Sequence, residues 1–143
     1  MNEDSNKIIR EYLVNQTALT DVVGQAVEIS PVVEKATLPF VGLSTRSGRS
    51  TPYIPGIVTP SIQFDCWGAS PIAAREVYDA LYSVLQGKQN QTVTVGGVDY
   101  LLMSAIEEVQ GQDITDGGGR DSGIQGYYRV LTFFSIMIRA EAV

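Results

Sequence analysis

A chain of 143 residues has the length of one domain with a core of its own, and at that size folding needs no metal or disulfide staple. Histidine is absent and cysteine occurs once, at Cys66, which removes the commonest general base, the commonest metal ligand and any disulfide or thiolate cluster. Ten basic residues against sixteen acidic ones give a net charge of −6, the wrong sign for holding nucleic acid by phosphate neutralisation, while 44% hydrophobic and 18% charged residues are ordinary for a folded chain.

The first residues, Met1 to Ser5, are polar and acidic where a secretory signal needs a positive stretch and then an apolar one. No apolar run approaches the roughly 18 residues that cross a bilayer. Synthesis in the cytoplasm and no membrane partner are expected, and the Asn-x-Thr triplets at Asn15 and Asn90 then have no glycosylating compartment.

Asp4 or Ser5 suits the cap of a helix that begins near Asn6, carries Ile8, Ile9, Tyr12 and Leu13 at helical spacing, and ends before Thr20. After Gly24, residues Ala26 to Ser30 and then Leu38 to Thr45 read as strands. From Thr45 to Pro60 the chain holds Ser47, Gly48, Ser50, Pro52, Pro55 and Gly56, the residues of a long loop or an open hairpin, with Arg46 and Arg49 at its tip and Tyr53 beyond them. Ile62, Phe64 and Cys66 alternate with Gln63, Asp65 and Trp67, the period of a strand with one face in the core, so Asp65 and Trp67 share the outer face.

Ser70 followed by Pro71 opens a helix in which Ala74, Val77, Leu81 and Leu85 line one face and Ile72, Tyr78 and Val84 broaden it, with Gly87 as terminator. Thr92 to Val95, Gly96-Gly97, and Val98 to Leu102 make a two-residue hairpin. Ser104 to Gly126 reads as a long acidic, glycine-rich loop holding Glu107, Glu108, Asp113, Asp116, Arg120 and Asp121. Tyr127 to Ala140 is a long strand. Its face of Tyr128, Val130, Thr132, Phe134, Ile136 and Ile138 should meet the helices, and its other face, with Leu131, Phe133 and Met137 beside Arg129, Ser135 and Arg139, is too apolar to be left in water. The layout is α+β: an antiparallel or mixed sheet of about four to five strands, two helices on one face and long flexible loops, in one domain over residues 1–143.

Chemistry finds little to work with. The run Asp113 to Asp121 lacks the alternation of a calcium loop, the lysine of a phosphate loop and the third glycine of a dinucleotide site, whose place is taken by Ser122. Cys66 reads as a small buried hydrophobe. Glu107 and Glu108 adjoin each other, and neighbours neither face each other on a helix nor share a face of a strand, so they make a poor acid–base pair. Asp65 on the outer face suits hydrogen bonding or an interface, and an outward Trp67 suits an interface anchor. No enzyme activity and no cofactor are expected.

Pro60 to Gly68, continuing through Ser70, Ala74, Val77, Leu81 and Leu85, resembles the tail-completion, or tail-terminator, proteins of long-tailed bacteriophages and prophages. The likeness extends to Leu38-Pro39-Phe40-Val41 and to Tyr128 through Phe133, and spans about Thr20 to Arg139. It implies a virion subunit at the head–tail junction: a ring, hexameric in that family, that closes the tail tube, with the major tail tube protein and head–tail connector proteins as neighbours and DNA passing through unbound. On that reading Trp67, Asp65, Leu131, Phe133 and Met137 serve subunit packing. Arg46, Arg49, Tyr53, Glu107, Glu108, Asp113, Asp116, Arg120 and Asp121 lie on loops toward partners or the lumen, where carboxylates would repel DNA. The alternatives are another connector or minor tail protein, and, from a different class, a small-molecule-binding module with a cleft near Trp67 and Tyr100.

Overall fold

The computed structural model describes residues 4–29, 38–50, 56–116 and 127–140. Asp4 caps the first helix, α1 (Ser5–Val14), through a carboxylate oxygen that accepts from Asn6 N at 3.2 Å. Asn15 ends it, turning its side-chain amide back to Glu11 O. A second short helix, α2 (Thr17–Val23), follows where the sequence suggested a single continuous element. Ile8, Ile9, Tyr12 and Leu13 are the buried face of α1, and the Tyr12 hydroxyl donates to Val84 O at 2.6 Å.

Six strands follow in one sheet: β1 (Val27–Ile29), β2 (Phe40–Ser50), β3 (Ile57–Gly68), β4 (Gln89–Val95), β5 (Val98–Asp116) and β6 (Tyr127–Ala140). Helix α3 (Pro71–Leu85) lies between β3 and β4 in the chain. The order across the sheet is β1-β2-β3-β6-β5-β4, with β1 parallel to β2 and every other pair antiparallel. The fold class is therefore α+β with a mixed sheet, as the pattern implied, but with six strands and three helices among the described residues.

The segment read as a long loop or an open hairpin, and the one read as an acidic loop, are strand over most of their described residues. β2 and β3 form the open hairpin, and the awkward Gly48 and Pro60 face each other in it. A Cβ on Gly48 would lie 2.6 Å from Pro60 Cα, so only glycine admits that approach. Pro60 falls where the β3–β6 pairing steps from Val58 to Ser61, a gap in which its missing N–H has no ladder bond to lose. The acidic stretch after Ser104 continues β5 to Asp116. Its register shifts at Leu102/Ser104, Glu107/Val109 and Val109/Gln112, and each bulge resets the alternation by which a strand is recognised. The glycine run from Gly117 onward, with Arg120 and Asp121, lies outside the described residues, as does Tyr53.

Ser70 caps α3 by accepting from Ala73 N at 3.1 Å, Pro71 occupies its first turn, and Gly87 follows with φ +75°. Ala74, Val77, Tyr78, Leu81, Val84 and Leu85 are buried, whereas Ile72, expected to extend that stripe, is 73% exposed because it sits at the helix mouth beyond the sheet's reach. The core lies between the helices and one sheet face, where Ile62, Phe64, Cys66, Val130, Phe134, Ile136 and Ile138 are fully buried. Helix α1 packs against both terminal strands, β1 and β4.

Candidate functional site

Among the described residues, no helix lies on the other face of the sheet. Alternation in β3 and β6 projects Ser61, Gln63, Asp65 and Trp67 beside Arg129, Leu131, Phe133, Ser135 and Met137, and the register sets Gln63 opposite Phe133, Asp65 opposite Leu131 and Trp67 opposite Arg129. These side chains form a continuous polar and aromatic ladder. Arg46 NH1 donates to Gln63 Oε1, Gln63 Nε2 donates to Asp65 Oδ2 at 3.1 Å, and Arg129 NH1 meets Asp65 Oδ1 at 2.6 Å. Arg129 lies over the Trp67 ring at 5.4 Å and Arg46 over the Phe133 ring at 5.8 Å. The Asp65–Arg129 pair is mostly shielded from water, a setting in which a charge pair is held by short hydrogen bonds and removing one partner is costly.

Trp67 is on the predicted face but does not project as an anchor. It stacks on Phe40 with centroids 5.8 Å apart, and the two rings are 6% and 0% exposed. The exposed apolar surface lies farther along the same face, at Ile106 and Val109 of β5, 56% and 39% exposed, next to half-buried Leu131, Phe133 and Met137. Alternation missed Ile106 and Val109 because the bulges shift β5 against β6: Ile106 pairs with Ser135 and Val109 with Phe133. Between them Glu108 turns outward and accepts from Ser61 Oγ at 2.6 Å, at the wall of a depression of about 430 Å³ lined by Arg46, Ser47, Ser61, Glu108, Val109 and Phe133.

Glu107 faces the helix side instead. Its Oε2 accepts from the Tyr78 hydroxyl and is met by the Thr132 hydroxyl, each at 2.7 Å, while its backbone N–H donates to Gln86 Oε1. Burial, and then the hydrogen bond to Glu107, push the Tyr78 hydroxyl up to about 12. Glu107 is thus a structural tie between strand and helix, and Arg75–Asp113 at 2.6 Å is a second, exposed one. Arg49 is paired with Thr59 in the β2–β3 ladder and Asp116 with Tyr127 at the far end of β5–β6, so these two lie at different hairpin ends, whereas Arg46 and Glu108 line one depression. Desolvation, with Asp65 nearby, pushes the Cys66 thiol well above its ordinary range, consistent with packing and not with nucleophilic chemistry. Trp67 pairs with Arg129 and Tyr100 with Ala140, at opposite ends of β6, and both residues are buried, so the two do not line one cleft for a small molecule.

These observations define a class: an α+β protein whose sheet is covered by helices on one side and, among the described residues, carries an ordered polar ladder and an apolar margin on the other. No family model matches the chain, and no curated protein matches it. Among solved structures its fold matches a chain described as "Virion of native gene transfer agent (GTA) particle", with a TM-score of 0.57, 14% identity and coverage of 94% of each chain. At that identity the likeness is one of fold.

Proposed function

We propose that this chain is a structural subunit of a phage-like virion, and that it assembles into a ring closing the tail tube at the head–tail junction. The observation that carries the reading is the end-to-end likeness of fold to a chain of a gene transfer agent virion. The open sheet face supports it: a margin of Ile106, Val109, Leu131, Phe133 and Met137 beside a prearranged charge ladder suits repeated contact between copies, and cyclic assembly covers such a patch on every subunit. The resemblance of the Pro60–Gly68 strand and the following helix to tail terminators supplies the position in the particle, a hexameric ring as the stoichiometry, and the tail tube and connector proteins as neighbours. The net charge of −6 fits a channel through which DNA slides without being held.

Electron microscopy of particles assembled without this protein tests the reading. Overlong or headless tails are expected, and normal virions overturn it. Light scattering on the purified chain tests the ring separately, and a strict monomer at every concentration and salt would remove it.

A further inference from the structure

A sheet of this kind has edges, and among the described residues the fold guards the outer edges of β1 and of the second half of β5. At β1, Arg10 Nε donates to Val27 O at 2.7 Å. β5 loses its neighbour where β4 ends opposite Ser104, and from there α3 takes over. Gly87 N donates to Ala105 O at 3.0 Å, Glu107 N donates to Gln86 Oε1 at 2.7 Å, and Gly111 N donates to the Tyr78 hydroxyl at 3.3 Å. The Arg75–Asp113 ion pair and the bulges of β5 complete the protection, as expected for an edge that must not recruit another strand.

β4 has one irregularity, Asn90 with φ +54°, and among the described residues none of the other guards. It is the last strand of the sheet, and its sequence, Gln89-Asn90-Gln91-Thr92-Val93-Thr94-Val95, contains no charge, no proline and no glycine. Gln89, Asn90, Gln91, Thr92 and Thr94 are exposed. Among the described residues, the one side chain that reaches its backbone is its own, Gln91 Nε2 to Gln89 O at 2.9 Å. Helix α1 does not close the gap: between Glu11, Asn15 and Gln16 on one side and Gln91 to Thr94 on the other lies a cleft of about 300 Å³, with no hydrogen bond across it among the described residues.

We infer that β4 is a self-pairing edge, to which a second copy of this chain adds its own β4 in antiparallel register, continuing the sheet across a two-fold axis. Charge selects this occupant. In a chain of net charge −6 most surfaces repel a second copy, and a two-fold contact sets residues at its centre against their own equivalents, so any charge there meets itself. An uncharged seven-residue strand rich in threonine and valine avoids that penalty and has the composition that pairs with itself. Centred near Thr92, the pair would set Thr92 against its equivalent, a threonine pair of the kind that stabilises facing strands. The contact is isologous and closed, so it is independent of a ring built on the outer face.

Single cysteines placed in turn at Gln91, Thr92 and Thr94 of the full chain test it, since opposed residues of an antiparallel pair come within disulfide range and Cys66 is buried. Oxidation is expected to give disulfide-linked dimers with at least one of the three, and none with Ile106→Cys on the outer face. Hydrogen exchange at Gln89–Val95 should be slow in the wild type, and the double variant Thr92→Lys/Thr94→Lys should speed it at least tenfold and halve the mass seen by light scattering, with the circular dichroism of the folded chain retained. Fast exchange in the wild type at high concentration, no cross-link at any of the three sites, or protection that arises only when other particle proteins are added would each overturn the inference, the last by showing a different partner. Ile106→Asp, which attacks the ring, leaves the β4 cross-link in place, so the two readings fail separately.

Discussion

Three hydroxyls show how much a single atom can matter in this molecule. Tyr78 OH donates to Glu107 and accepts from Gly111 N, joining α3 to the bulged part of β5. Tyr78→Phe leaves both partners short of a bond inside a packed region and should destabilise the fold by about 1–3 kcal/mol in urea titrations at neutral pH. The same hydroxyl sets a pH limit. Its folded value, about 12, lies above the ordinary value of 10.0, so its contribution is intact below about pH 10 and is lost as pH rises from about 10 toward 12. Wild-type stability should fall across that window on the order of 2 kcal/mol more than that of Tyr78→Phe, while Tyr12, also pushed up by burial, leaves a remainder in both. Tyr100 is the opposite case, a fully buried residue whose hydroxyl has no hydrogen-bond partner among the described residues. Tyr100→Phe should therefore stabilise the chain by up to about 1 kcal/mol, read as a higher denaturation midpoint with an unchanged slope.

At the level of elements, local chemistry made some parts plain in the sequence and long-range pairing hid others. Ser70-Pro71 and Gly87 mark both ends of α3, Gly96-Gly97 marks the β4–β5 turn, and the alternation of β3 and β6 assigns their faces correctly. The second half of β5 was not legible, because three register shifts break its period and because its polar groups are satisfied by Tyr78, Gln86 and Arg75, partners far away in the chain. Nor was the close approach at Gly68. A Cβ there would stand 2.4 Å from Ala74 N and 2.7 Å from Ala73 C, backbone atoms of a helix that cannot give way. Gly68→Ala should cost at least about 1–3 kcal/mol, with loss of helix packing visible in the thermal transition. The candidate face was half legible: Asp65, Leu131, Phe133 and Met137 could be placed on it by counting, whereas the burial of Trp67 against Phe40 and the exposure of Ile106 and Val109 depend on register.

For the whole molecule, the division between a helix-covered face and an open one organises what can be tested about assembly. Ile106→Asp puts a charge into the apolar margin at a site 56% exposed in the free subunit. Folding stability should change by less than about 0.5 kcal/mol, as for surface changes generally, while self-association through this face weakens at least tenfold by sedimentation or light scattering. The Asp65–Arg129 pair predicts the reverse pattern, a folding cost from Asp65→Ala because Arg129 is left charged and poorly hydrated beside Trp67.

The strand order has a kinetic corollary. β2–β3 and β4–β5 are hairpins that close over short distances, but the seam between β3 and β6 joins residues such as Asp65 and Arg129 that are 64 positions apart in the chain. Closing that loop is the entropically expensive step. The rate-limiting barrier should therefore sit at the β3–β6 seam, so that shortening the intervening chain accelerates refolding while substitutions in the two flanking hairpins act chiefly on the rate of unfolding.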